Sequence, residues 1–136
     1  MHTTNYVGAF IEVSPDTKAA AATEPPSRGS SLTVAEAQYR LLSEHPYEFT
    51  SDDVLFTVHA DRAGIADADR PAAREAFFAK GQACLRASPL SKTYGWGTHH
   101  DADGRVALVP MESEEYARLA ADPALKHHAA MRSARA

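Results

Sequence analysis

An α+β fold is what this sequence predicts: a single, mostly antiparallel sheet of about four strands with helices packed on one face. Three observations predict it. Short segments with period-two apolar alternation stand beside segments with helical apolar stripes. The run Asp101-Ala102-Asp103-Gly104 lies between two strand-like stretches and predicts a hairpin turn. A length of 136 residues is enough for one core without covalent staples, so 1–136 reads as a single domain.

The first strand runs from Asn5 to Val13, with Val7, Ala9, Ile11 and Val13 on one face and Tyr6, Phe10 and Glu12 on the other. Residues 14–32 then change character. Ser14-Pro15-Asp16, an alanine run, Pro25-Pro26 and Arg28-Gly29-Ser30-Ser31 predict a long loop, either mobile or functional. Thr33 and Glu36 have capping-box spacing and start a helix at about Val34; its stripe is Val34, Ala37, Leu41 and Leu42, and Pro46 stops it. Val54 to Ala60 reads as a strand, with Val54, Phe56 and Val58 inward and Leu55, Thr57 and His59 outward. Asp69-Arg70-Pro71 opens a second helix with the stripe Ala73, Ala76 and Phe77 and a C-cap at Gly81. Residues 82–93 form an irregular basic loop. Tyr94–His100 and Arg105–Val109 are the hairpin strands. Ser113 with Glu114 and Glu115 opens a third helix, Asp122-Pro123 a short fourth, and 131–136 is a basic, frayed tail. The expected core face is Val7, Ile11, Val54, Phe56, Val58, Val106 and Leu108. Strand order is left open by the pattern.

Composition narrows the function classes. Hydrophobic residues make up 44% and charged residues 24%, as in ordinary globular domains. The net charge of −4 argues against bulk attraction to nucleic acid. The charge is uneven. Residues 1–79 hold 6 Lys/Arg against 12 Asp/Glu, and residues 80–136 hold 8 against 6, so an anion would be received in the second half. A lone cysteine, Cys84, excludes an intrachain disulfide and suits a reducing cytoplasm. No apolar run has membrane-spanning length, and the start MHTTNY has no secretory-signal pattern, so neither a membrane nor export is expected.

The opening MHTTNYVGAFIEV, the middle TSDDVLF, the run KGQACLRASPLSKTYGWG and the ending MRSARA resemble a family of uncharacterised bacterial proteins catalogued as a domain of unknown function. The resemblance covers nearly the whole chain. It implies one intact domain and no particular chemistry.

Four places hold candidate chemistry. The loop from Gly81 to Gly97 gathers Arg86, Ser88, Ser91, Lys92 and Tyr94, donors and fixed cations suited to a carboxylate or phosphate. Gly95 and Gly97 would let a ligand approach the backbone. The competing account is that Arg86 and Lys92 pair with carboxylates of the acidic half. Cys84 would need a nearby cation or histidine to become a nucleophile; the simpler expectation is an unreactive, small buried hydrophobe. His99-His100-Asp101-Ala102-Asp103 has metal-ligand residue types, but neighbours on a strand face opposite ways, and the calcium-loop pattern fails at Arg105 and Val106. No metal is expected there, nor any cofactor. His127-His128 reads as a favourable contact with a helix C-terminus. The fourth place is the outer sheet face, expected to carry Tyr6, Phe10, Glu12, Thr57, His59, Tyr94, Trp96 and Thr98, unless a terminal helix or the 14–32 loop covers it.

The candidate ligand set is therefore Arg86, Ser88, Lys92, Tyr94, Trp96, His59 and His99. It suggests a module that binds a small anionic molecule or self-associates. The alternative is a small enzyme at the same place, with His59 or His99 as general base and Arg86 or Lys92 holding an anion.

Overall fold

The computed structural model describes residues 2–27, 29 and 32–132, so part of the 14–32 segment and the end of the expected basic tail, 133–136, lie outside the described residues. The strands are β1 (Ala9–Glu12), β2 (Trp96–His100), β3 (Val106–Pro110) and β4 (Lys126–Ala129). The helices are α1 (Val34–Glu44), α2 (Ser51–Ala63), α3 (Arg70–Phe77), α4 (Pro89–Lys92) and α5 (Glu114–Ala120). The strands form one sheet in the order β3-β2-β1-β4. β1–β2 and β2–β3 are antiparallel and β1–β4 is parallel, so the fold is α+β with a mostly antiparallel sheet.

The hairpin forms where its turn residues predict it. Asp101 Oδ1 accepts the N–H groups of Asp103 and Arg105, and Gly104 takes φ +79°, which glycine adopts without Cβ strain. Thr33 caps α1 by accepting Glu36 N–H, and Ser113 caps α5 by accepting Tyr116 N–H. Residues 14–27 contain no helix or strand, as expected of the loop.

Several expectations are corrected. Residues 54–60 are not a strand but the middle of α2. Thr50 Oγ1 accepts Asp53 N–H and Asp53 Oδ2 accepts Thr50 N–H, a complete capping box, and Gly64 ends the helix at φ +69°. The misleading alternation comes from two i,i+4 stripes offset by two residues, roughly 200° apart around the helix. Val54 faces the core of Ile11, Leu42 and Leu90, whereas Phe56 and Ala60 face Phe78. Asp122-Pro123 opens no helix: the chain makes one turn there and enters β4, where Lys126 N–H bonds Gly8 O. α3 ends at Phe77 rather than Gly81. Phe78 N–H still bonds Arg74 O, but Ala79 N–H reaches Ala76 O, so the last turn tightens and stops with Phe78 fully buried. The expected irregular loop 82–93 contains a 3₁₀ turn, Leu85–Ala87, and α4.

The helix layer of α1, α2 and α4 lies on the sheet face that carries Ile11 and Val106, where the main core sits. The short α5 closes the other face, where Phe10 and Val109 pack with Leu119 and Tyr116. Val7, expected in the core, is 55% exposed beside the hairpin turn.

Candidate functional site

Register decides what the sheet presents. Ile11 pairs with Thr98, and Thr98 with Leu108. Residues directly opposite one another share a face, so Trp96, Thr98 and His100 lie on the helix-covered side. The expected outer aromatic face does not exist as a unit. Thr98 is buried, Phe10 and Glu12 lie on the opposite side with Phe10 beneath Tyr116, and Thr57 and His59 are on α2. The 14–27 segment covers the Trp96 end: Trp96 Nε1 donates to Thr23 O at 2.8 Å and Thr23 N–H to Tyr94 O at 2.9 Å.

The seven candidate residues sit on different elements: His59 on α2, Arg86 in the 3₁₀ turn, Ser88 and Lys92 at the two ends of α4, Tyr94 just after it, and Trp96 and His99 on β2. Ser88 is buried, donates to Gln38 Oε1 and caps α4. Lys92 ends α4, and Tyr94 packs against the main core. His59 stands on α2 with its ring stacked on Phe77, centroids 4.7 Å apart. His99 faces outward and meets Tyr47 Oη through Nδ1 at 2.8 Å. Tyr47 itself adopts φ +59°, alone among the described non-glycine residues. Its phenol is pushed up by burial and by the charges of Glu115 and Asp101.

Arg86 lies where several chemistry-bearing groups gather. The 3₁₀ turn places it beside β4, where its Nε donates to Ala129 O at 2.7 Å and its carbonyl accepts Met131 N–H at 2.8 Å. Tyr6, entering β1, reaches the same place. Its hydroxyl lies 3.3 Å from Cys84 Sγ, and its ring meets His128 at 4.9 Å and His100 at 5.5 Å. Tyr6, Cys84, Arg86, His100 and His128 thus converge from four parts of the chain. Sequence reasoning named Arg86 and Cys84 but treated His128 as a helix-end contact. It is a strand residue instead, brought in by the parallel β1–β4 pairing, which no local pattern announces.

Electrostatics differ across this cluster. His100 is fully buried, shares a hydrogen bond with Thr98 Oγ1 through Nε2 at 3.0 Å, and has no partner for Nδ1 among the described residues. Burial, with the neighbouring His99 and His128, pushes its pKa down to about 4. Burial pushes the Tyr6 phenol up to about 12, reinforced by its bond to Cys84 and opposed by Arg86. Tyr6 therefore remains a neutral hydroxyl through the physiological range. His128 is lowered by partial burial and then by Arg86, Lys126 and His127.

Arg40, Arg70, Arg74 and Arg118 each pair with a carboxylate, at 2.9, 2.9, 2.9 and 3.9 Å. Among the described residues Arg86 makes no ion pair, although it is half-buried. The described residues contain no group of three or more His, Cys, Asp or Glu arranged to hold a metal ion. No helix among them is long and apolar enough to cross a membrane.

A family model described as a family of unknown function (DUF6157) matches residues 1–136. The chain belongs to that family. The DUF6157 description carries no activity, and neither the curated proteins nor the solved structures contain a match to this chain.

Proposed function

We propose that this DUF6157 protein is a small-molecule binding module that receives a small organic anion at Arg86, with Tyr6, Cys84 and His128 around it. The observation that carries this reading is the state of Arg86. It is half-buried, oriented by its bond to Ala129 O, and makes no ion pair among the described residues. His128 is lowered by burial first and then by the nearby cations Arg86 and Lys126, so this end of β4 holds excess positive charge that a bound anion would offset. Tyr6 Oη adds a neutral hydrogen-bond donor, and a guanidinium fork matches a carboxylate or phosphate.

A thermal-shift screen of carboxylates and phosphates tests it, because a ligand that binds only the folded state raises the apparent stability. Some anions should raise Tm saturably, and Arg86→Lys should reduce that rise, measured from the variant's own unliganded Tm, by an affinity loss of more than ~1 kcal/mol. A flat screen together with a destabilised Arg86→Ala would leave Arg86 as the latch of β4 and nothing more.

The contact between Cys84 and Tyr6 favours a second reading, a small enzyme in which His128 is the base and Arg86 holds the anion. Cys84 would then alkylate faster in native than in unfolded protein; slower native labelling supports the binding module. The reading also keeps a cytoplasmic bacterial protein that uses no cofactor, nucleic acid or membrane and can self-associate. The lone cysteine and the net charge of −4 support it, and sedimentation across a concentration series tests the self-association.

A further inference from the structure

We infer a second binding site in the groove between α1 and α2, at the end bounded by Phe77 and Gln82. Its ligand is a small organic acid built on one aromatic or heteroaromatic ring. The groove shares no residue with the Arg86 cluster, and the inference goes beyond the reading above.

Size limits the ligand first. The groove has a volume of about 190 Å³. An apolar cavity of about 150 Å³ holds benzene, whereas drug-sized ligands occupy pockets of about 300–1,000 Å³. One ring with a short substituent fills it; a nucleotide would extend beyond it.

The lining then selects the chemistry. Leu55 and Val58 supply apolar surface along α2. His59 and Phe77, stacked with their planes 29° apart, add a flat aromatic wall. Arg62 Nε donates to Leu32 O at 3.1 Å, which steadies the guanidinium at the rim. Among the described residues Arg62 makes no ion pair. Gln38 uses its side-chain oxygen to accept from Ser88 Oγ, so its amide N–H groups remain for a ligand. Gln82 donates Nε2 to Phe77 O at 2.7 Å, which leaves its side-chain oxygen as an acceptor. An apolar slot with one cation, one donor and one acceptor complements a planar ring bearing a carboxylate and a second small polar group.

The full chain, ¹⁵N-labelled, can be titrated separately with benzoate, nicotinate, acetate and inorganic phosphate. Benzoate or nicotinate should bind saturably and move the amide signals of 55–62 and 82–83; acetate and phosphate should not move them. Arg62→Gln should weaken the ring acid at least tenfold. His59→Ala should weaken it several-fold, and Arg105→Gln should leave it unchanged. Both tested side chains project from exposed positions of α2, so the fold survives their loss. Absence of saturable binding overturns the inference, as does an equal response to acetate or full retention of benzoate binding in Arg62→Gln. Shifts confined to 84–86 and 126–129 would also overturn it, while supporting the Arg86 reading.

Discussion

His100 is the residue whose surroundings depart furthest from its intrinsic chemistry. It is wholly buried, Nδ1 has no partner among the described residues, and its pKa falls to about 4 from an ordinary 6.5. Between those values the unfolded chain binds the proton and the folded chain does not. Its contribution is therefore fully present above about pH 6.5 and is lost as pH falls toward 4. A difference of that size corresponds to about 3 kcal/mol. Urea melts at pH 7 and pH 4.5 should show wild type losing more stability than His100→Gln; identical losses would mean that His100 is not the group that titrates. The sequence pattern predicted that His99 and His100 face opposite ways, and they do. It could not predict which one is inside, because that depends on the pairing of Thr98 with Ile11 and Leu108. Gly97 illustrates the same limit. A Cβ there would meet Tyr116 at 2.8 Å and Phe10 at 2.9 Å, so this glycine serves close packing under α5 rather than approach by a ligand.

At the scale of elements, helices α1 and α5 and the hairpin were legible because each carries its own signal: a capping threonine or serine, or a turn with glycine at positive φ. α2 carries an equally good signal in Thr50-Ser51-Asp52-Asp53, but its burial on two sides produces a strand-like alternation that hides the helical period. Phe56 is inward under either assignment, 4% exposed and packed with Phe78 and Phe77. Phe56→Ala should cost about 3–5 kcal/mol as a large-to-small core change, and Thr50→Ala about 1 kcal/mol through the lost cap. Urea midpoints and unchanged m-values would check both. A loss under about 1 kcal/mol for Phe56→Ala would show that this side chain lies outside the core. β4 had no legible signal. Lys126-His127-His128-Ala129 alternates nothing, and it is a strand because β1 offers it an edge and Arg86 holds its end.

For the whole molecule, the three packed clusters share elements: α2 contributes to two of them, and β1 and β3 to two. Unfolding should accordingly be one cooperative step. Trp96 fluorescence and far-UV circular dichroism should give coincident urea transitions, since Trp96 reports the sheet and the loop while ellipticity reports mainly the helices. Separated midpoints would reveal an independent α2–α3 unit. The sequence by itself determined the α+β class, the capped helices α1 and α5 and the hairpin, because these rest on chemistry within a few residues. Only the tertiary structure decided that 54–60 is helical, that β4 is a parallel strand, that Trp96 lies beneath a loop, and that Arg86 meets Tyr6, Cys84 and His128. Those outcomes turn on sheet register and long-range pairing. A one-residue change of register exchanges the two faces of a strand, and no local spacing of residues carries that information.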